Sequence, residues 1–289
     1  MATTAQWISG ARPRTLPAAV APVLVGTGAA LGLGARHPGR ALTALAVSLA
    51  LQVGVNYAND YSDGVRGTDD DRVGPFRLTG SGAARPEAVR RAAFACFAVA
   101  ALAGLGLVAA SGTWWLLAVG AAAILAAWYY TGGRRPYGYL GLGEVFVFVF
   151  FGLVAVLGTT YTQALRIDLP AVAGAVGVGL LACGILVANN LRDVPTDAAA
   201  GKLTLAVRLG VGGTRRLYVA LVVGAFLAVA LTAVRQPPAL LALAAAVLAV
   251  PPVRTVTGGA TGRELLPVLR DTGRLELVYA LLLGAGLTV

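Results

Sequence analysis

The sequence predicts an all-α, polytopic membrane protein of about nine transmembrane helices. Three observations carry this. Hydrophobic residues make up 57% of the chain and charged residues only 12%, against roughly 25% charged in soluble domains. Apolar segments of about 20 residues, the length that crosses a hydrocarbon core of about 30 Å, recur throughout. Lysine and arginine fall at span ends and in alternate loops, as the positive-inside rule requires. No soluble domain of useful size remains between the spans, so residues 1–289 read as one integral-membrane domain.

The N-terminal residues 7–14 are short and basic, and the first span follows at 16–33. A basic start before an apolar run imitates a signal peptide, but this run is long, contains Pro17 and Pro22, and precedes many more spans. The second span covers 41–57, with a long loop to about residue 87. Spans three and four, 91–110 and 114–131, are joined by the tight turn Ser111-Gly-Thr. A short polar loop, 132–139, leads to spans five and six at 140–161 and 170–190. A second polar loop at 191–214 precedes spans seven and eight, 215–234 and 238–253. A third, 254–271, precedes the last span, from 274 to the end.

With the N-terminus in the cytoplasm, nineteen of the 23 lysines and arginines lie on inner segments, and only Arg36, Arg40, Arg166 and Arg235 lie outside. This asymmetry favours nine spans over eight, a cell-membrane location and an external C-terminus. It also explains the net charge of +10 without nucleic acid, because the basic residues follow the spans rather than forming one patch. Cys96 and Cys183 sit inside apolar spans as buried thiols, without metal-ligand spacing. His37, the only histidine, belongs to a polar loop, which disfavours a histidine-based triad or metal site.

Two acidic patches remain to be explained. Residues 56–71 read Asn-Tyr-Ala-Asn-Asp-Tyr-Ser-Asp-Gly-Val-Arg-Gly-Thr-Asp-Asp-Asp and hold five of the thirteen acids. On a helix Asn56 and Asp60 share one stripe and Asn59 and Asp63 a neighbouring one. Asn189, Asp193 and Asp197 repeat the spacing after the sixth span. Hard-oxygen ligands in such clusters suit Mg²⁺, which binds protein through one or two carboxylates together with substrate phosphate. Arginine and lysine follow each patch: Arg72 and Arg77 after the first, Arg192 and Lys202 within and after the second. Carboxylates holding metal, metal holding diphosphate and cations holding the remaining oxygens make a consistent set. Both patches face the cytoplasm in this topology and lie four spans apart, which suggests two four-helix halves related by a repeat, plus a ninth helix. Tyr130-Thr-Gly-Gly-Arg134-Arg closes the fourth span, where its arginines are membrane anchors or reach a leaving phosphate. Glu144, at the start of the fifth span, is either a tolerated helix-terminal acid or a functional one. Of Trp128, Tyr129, Phe146, Phe148, Phe150 and Phe151, most read as packing, and some could offer ring faces to a carbocation.

Paired Asn/Asp motifs on a nine-helix chain resemble the UbiA-type superfamily of intramembrane aromatic prenyltransferases. Ala-Arg-Pro-Arg-Thr-Leu-Pro at 11–17, Asn-Asp-Tyr-Ser-Asp-Gly-Val-Arg-Gly-Thr-Asp at 59–69, Arg-Val-Gly-Pro-Phe-Arg at 72–77, Gly-Leu-Gly-Glu at 141–144 and the Lys202 segment at 200–210 are similar to its 1,4-dihydroxy-2-naphthoate polyprenyltransferase branch. One departure is Gly67, where a further acid would extend the Asn-x-x-x-Asp repeat; Asp69 follows two residues later. The resemblance implies a central cavity open to the cytoplasm, the lipid bilayer as surroundings, Mg²⁺ as cofactor, and polyprenyl diphosphate and 1,4-dihydroxy-2-naphthoate as substrates. It implies metal ligation by Asn59, Asp60, Asp63, Asp69, Asn189, Asp193 and Asp197. Lys202, Arg134, Arg72 and Arg77, with Tyr130, are then the catalytic groups at the diphosphate, and Asn56, Glu144 and Arg192 bind substrate. Another acceptor, such as 4-hydroxybenzoate, homogentisate, haem or a sugar phosphate, and a non-enzymatic transporter are the alternatives. The clustering of acids at one surface, with span centres lacking ionisable groups, disfavours transport.

Overall fold

Proline and glycine set the frame of the molecule. In the computed structural model, which describes residues 2–67 and 76–289, five of the longer helices begin with proline in the first turn, and several corners turn on left-handed glycines. The expectations placed on Asp69 and Arg72 fall outside the described residues. The short helix α1 (Thr4–Gly10) is closed by a capping box between Thr3 and Gln6. A 3₁₀ turn, Pro13–Thr15, then leads into α2 (Pro17–Gly32), and the chain bends by 49° between the two. Arg12, at the bend, is left-handed with φ 55°.

Next come α3 (Pro38–Val65), α4 (Pro86–Ser111) and α5 (Leu116–Tyr129). After a polar loop, α6 (Gly143–Val147) runs directly into a π-helical stretch, Phe148–Val154, and on into α7 (Ala155–Ala164). Then follow α8 (Leu169–Ala199) and α9 (Leu205–Ala233), the latter kinked at Gly210, whose φ is 66°. A 3₁₀ stretch, Pro237–Ala245, continues as α10 (Ala246–Thr257), and α11 (Leu266–Leu287) ends the chain.

Helical backbone thus occupies every stretch predicted to span. Among the described residues, six helical stretches are long and apolar enough to cross a membrane, or seven if the bent N-terminal pair is one span. The helix α5 has only 14 residues, and α11 carries Arg270, Asp271, Arg274 and Glu276. Two expected loops are corrected. The second span continues as helix into the first acidic patch as far as Val65, past Asp60 and Asp63, and the sixth runs through the second patch to Ala199, passing Pro195. Polar residues end a span as judged by hydropathy, but they need not end a helix whose final turns project past the hydrocarbon.

The helices pack as neighbours in order, most extensively α3 on α4 and α8 on α9, and α11 returns to lie against α2. Small residues permit this closeness, since packing rather than water exclusion joins helices in lipid. At the α2–α11 crossing a Cβ on Gly28 would stand 2.3 Å from the Gly284 carbonyl oxygen. The larger core cluster joins α2, α8, α9 and α11, and a smaller one joins α3 to α4. A cavity of about 500 Å³ lies between these two bodies.

Candidate active site

The cavity has a polar end and a long apolar body. One stripe of α3, comprising Gln52, Asn56, Asn59 and Asp63, lines it. From Asp63 the lining continues up α3 to Ala44, roughly 28 Å at the helical rise per residue, close to a full hydrocarbon thickness. Leu51, Gly104, Ile124, Phe150 and Val154 line the body. Leu105 and Leu117 line it too and are among the exposed leucines.

At the polar end, Thr131 Oγ1 donates to Asn59 Oδ1 at 2.8 Å. Tyr139 donates its hydroxyl to Asp63 Oδ1 at 2.9 Å, and Arg77 faces Asp63 Oδ2 at 3.5 Å. Lys202 Nζ lies 3.7 Å from Asp197 and 5.0 Å from the centre of the Tyr139 ring. Asn189 and Asn190 line the same end, and so does Tyr130. Tyr137 donates to the Ala126 carbonyl and stacks on Phe146 with 3.9 Å between centroids. Burial pushes the Tyr137 phenol above its ordinary range, so it stays a neutral donor.

Not every residue singled out in the sequence reaches this space. Asp60 is fully buried outside the lining, where its two carboxylate oxygens accept from the backbone N–H groups of Leu78 (2.7 Å) and Thr79 (2.8 Å). It holds the far end of the loop instead. Arg134 is exposed and does not line the cavity. Arg66, not singled out by its sequence, stands nearby and donates to the Thr131 and Gly133 carbonyls. Asp193 and Asp197 flank the polar end without lining it. Buried Arg192 grips both Asp193 oxygens at 2.7 Å and donates to Asn189 Oδ1 at 2.9 Å. Glu144 also lies outside the lining and accepts from Asn190 Nδ2 at 3.0 Å. Asn56 lines the cavity, but its amide donates to Ala11 O and Thr15 Oγ1, so it ties α3 to the N-terminal bend. Tyr139, Thr131 and Gln52 were missed. Tyr139 lies in a loop without periodic pattern, Thr131 closes the fourth predicted span, and Gln52 is a lone amide inside an apolar run.

The donors at the polar end are hard oxygens on amides and carboxylates. Among the described residues no three acids or other strong ligands form a closed cage. Mg²⁺ does not need one, because it takes few protein ligands and retains water or substrate phosphate. The set therefore fits a metal shared with a phosphorylated ligand. Among the described residues three cation–carboxylate pairs stand beside it, Arg77–Asp63, Arg192–Asp193 and Lys202–Asp197, each neutral as a pair.

Known proteins share this fold. A UbiA homolog from Archaeoglobus fulgidus, solved bound to GPP and Mg²⁺, aligns over 98% of this chain and all of its own, with a TM-score of 0.71 at 13% identity. A UbiA homolog from Aeropyrum pernix K1 gives 0.68 at 17% identity, over 93% of this chain and 96% of its own. In sequence, the chain is 58% identical to a 1,4-dihydroxy-2-naphthoate octaprenyltransferase of Mycobacterium tuberculosis over 99% of this chain and 98% of that protein. The protein of that description from Mycobacterium leprae is 54% identical over 100% and 98%. The Escherichia coli one is 41% identical over 79% and 76%. Residues 19–258 match the UbiA prenyltransferase family, and with apolar helices around a cavity that is polar at one end, this chain is a multi-pass membrane protein belonging to that family.

Proposed function

We propose that the protein transfers a polyprenyl group from its diphosphate to 1,4-dihydroxy-2-naphthoate, with loss of carbon dioxide, to give the demethylmenaquinone skeleton. The observation that carries this is the cavity itself: hard-oxygen donors and cations at one end, and an apolar body nearly as deep as a bilayer. Full-length relatives named for this acceptor support its choice over a benzoate.

Asp63, Asn59 and Asn189 would hold Mg²⁺ at the polar end, with Asp193 and Asp197 behind them. When bound, the metal would neutralise the diphosphate and favour its departure. Arg77, Arg192 and Lys202 are each paired with a carboxylate before substrate arrives. Arg77 and Lys202, which line the cavity, stand ready to transfer that pairing to phosphate oxygens, which stabilises charge as the allylic C–O bond breaks, while Arg192 holds Asp193 and Asn189 in place. Tyr139 orients both Asp63 and Lys202. The Phe146 and Phe150 rings line the adjacent wall and offer their faces to the allylic cation. The naphthoate ring supplies the electron pair of the new C–C bond, and the pair of its carboxylate bond restores the ring as carbon dioxide leaves. The apolar wall keeps bulk water from the cation. The Asp69 and Arg72 roles remain part of this proposal through the resemblance alone.

The topology belongs to the same reading: nine crossings with the N-terminus and site cytoplasmic, in the cell membrane, and two four-helix halves in which α3 with α4 corresponds to α8 with α9. The test is an assay of the purified protein in detergent with polyprenyl diphosphate, Mg²⁺, and either dihydroxynaphthoate or 4-hydroxybenzoate. Metal-dependent product from the naphthoate alone is expected. Product from the benzoate alone would move the protein to another acceptor.

A further inference from the structure

A small hydrogen-bond network two helical turns below Asn59 fixes the orientation of one amide. Thr15 Oγ1 donates to the Arg12 carbonyl at 2.9 Å. A hydroxyl has one hydrogen, so toward its other neighbours Thr15 can only accept. It accepts from Asn56 Nδ2 at 3.0 Å and from Gln52 Nε2 at 2.9 Å. Asn56 Nδ2 also donates to Ala11 O, which turns its Oδ1 toward Gln52 Nε2 at 3.4 Å. Both hydrogens of the Gln52 amide are thereby used, and flipping the amide would set oxygen against oxygen. The Gln52 carbonyl oxygen is left buried with no hydrogen-bond partner, on a side chain that lines the cavity and is 5% exposed.

A buried acceptor without a donor is costly, and more so at membrane depth. A substrate site can hold one because the ligand brings the donor. A polyprenyl tail carries no donor, and neither does an ionised diphosphate; the phenolic acceptor does. The network also lies where a second cavity, of about 260 Å³, meets the first, since Arg12, Thr15 and Asn189 line both. We infer that Gln52 binds a phenolic hydroxyl of the aromatic acceptor through its Oε1 and so positions the ring beneath the allylic carbon. This rests on the acceptor reading above and names a contact for it.

The experiment compares dihydroxynaphthoate with its two mono-O-methyl ethers, using the full-length protein with Mg²⁺ and polyprenyl diphosphate. In the unaltered protein, one ether should lose about tenfold in kcat/KM, the size of one hydrogen bond. Gln52→Leu should raise KM for the naphthoate by about tenfold, leave KM for polyprenyl diphosphate within about twofold, and erase the preference for the parent over that ether. Gln52→Met, equal in length, should behave alike, and binding of a non-reactive prenyl thiodiphosphate by both variants reports that they are folded. No discrimination against either ether by the unaltered protein would overturn the inference. So would persistence of the preference in the variants, or equal rises in both KM values, which is the signature of a merely structural tie. Should the protein use 4-hydroxybenzoate instead, the naphthoate reading fails, and the same comparison with 4-methoxybenzoate decides the role of Gln52.

Discussion

The two Asn/Asp patches have the same spacing in sequence and are built differently in space. On α3 the cavity receives Asn59 and Asp63 directly, while Asp60 is spent on the Leu78 and Thr79 backbone. On α8 the cavity receives the amides Asn189 and Asn190, and the acids stand behind, gripped by Arg192 and Lys202. The first patch therefore presents a carboxylate, and the second presents amides, with Lys202 beside them and its carboxylates in reserve. Shared spacing selects a helix face; the rotation of each helix against its neighbours decides which residue of that face does chemistry.

The sharpest way to break this comparison is Asp63→Asn. Its kcat should fall by about a thousandfold, as for loss of a preorganised charge in an active site, while the melting temperature in detergent falls less than the rate loss would suggest, since the amide still accepts from Tyr139. Product formation at saturating Mg²⁺ reads the first quantity and fluorescence-monitored unfolding the second. Lys202→Met should cost on the order of a hundredfold in single-turnover rate, since it removes one cation from the departing diphosphate and leaves Arg77 in place. Asp60→Asn should show the opposite profile. It weakens two buried charge-assisted hydrogen bonds, for about 3 kcal/mol of stability, and its residual activity should recover on cooling. A normal unfolding midpoint for this variant would mean that Asp60 serves the site rather than the loop. Smallest of all, Arg134→Ala should stay within about twofold of the parent rate, because a single exposed arginine on the loop is anchored in nothing catalytic.

Much of the fold was legible because hydropathy and positive-inside asymmetry are properties of the chain itself. The helix at each predicted span follows from that level, and the spacing of the two patches picked out Asn59, Asp63, Asn189 and Lys202, which the fold brings to one cavity. What escaped depends on contacts between distant segments. Asp60 differs from Asp63 only in its angle around α3, and that angle is set by packing on α4 and by the tie from Asn56 to Ala11. The helical continuation past Tyr57 is tied to Tyr139, 76 positions away from Asp63, which no hydropathy window includes. Gln52 was readable in principle: an amide in the middle of a span is expensive enough to require an account. The π-helical stretch at Phe148–Val154 had no signature beyond a run of aromatics.

That stretch has an evolutionary consequence. A π segment holds one residue more than an α-helix of equal length needs, so deletion of a single codon within it can be absorbed without shortening the span. When the extra residue is absorbed, the flanking helices keep their relative facing, so Phe146 stays on the wall and Ala155–Ala164 stays in register. Only residues inside the stretch, Phe150 among them, are re-aimed, with both helix ends kept. The aromatic lining beside the polar end can therefore change by gain or loss of one residue as well as by substitution, without disturbing the rest of the span.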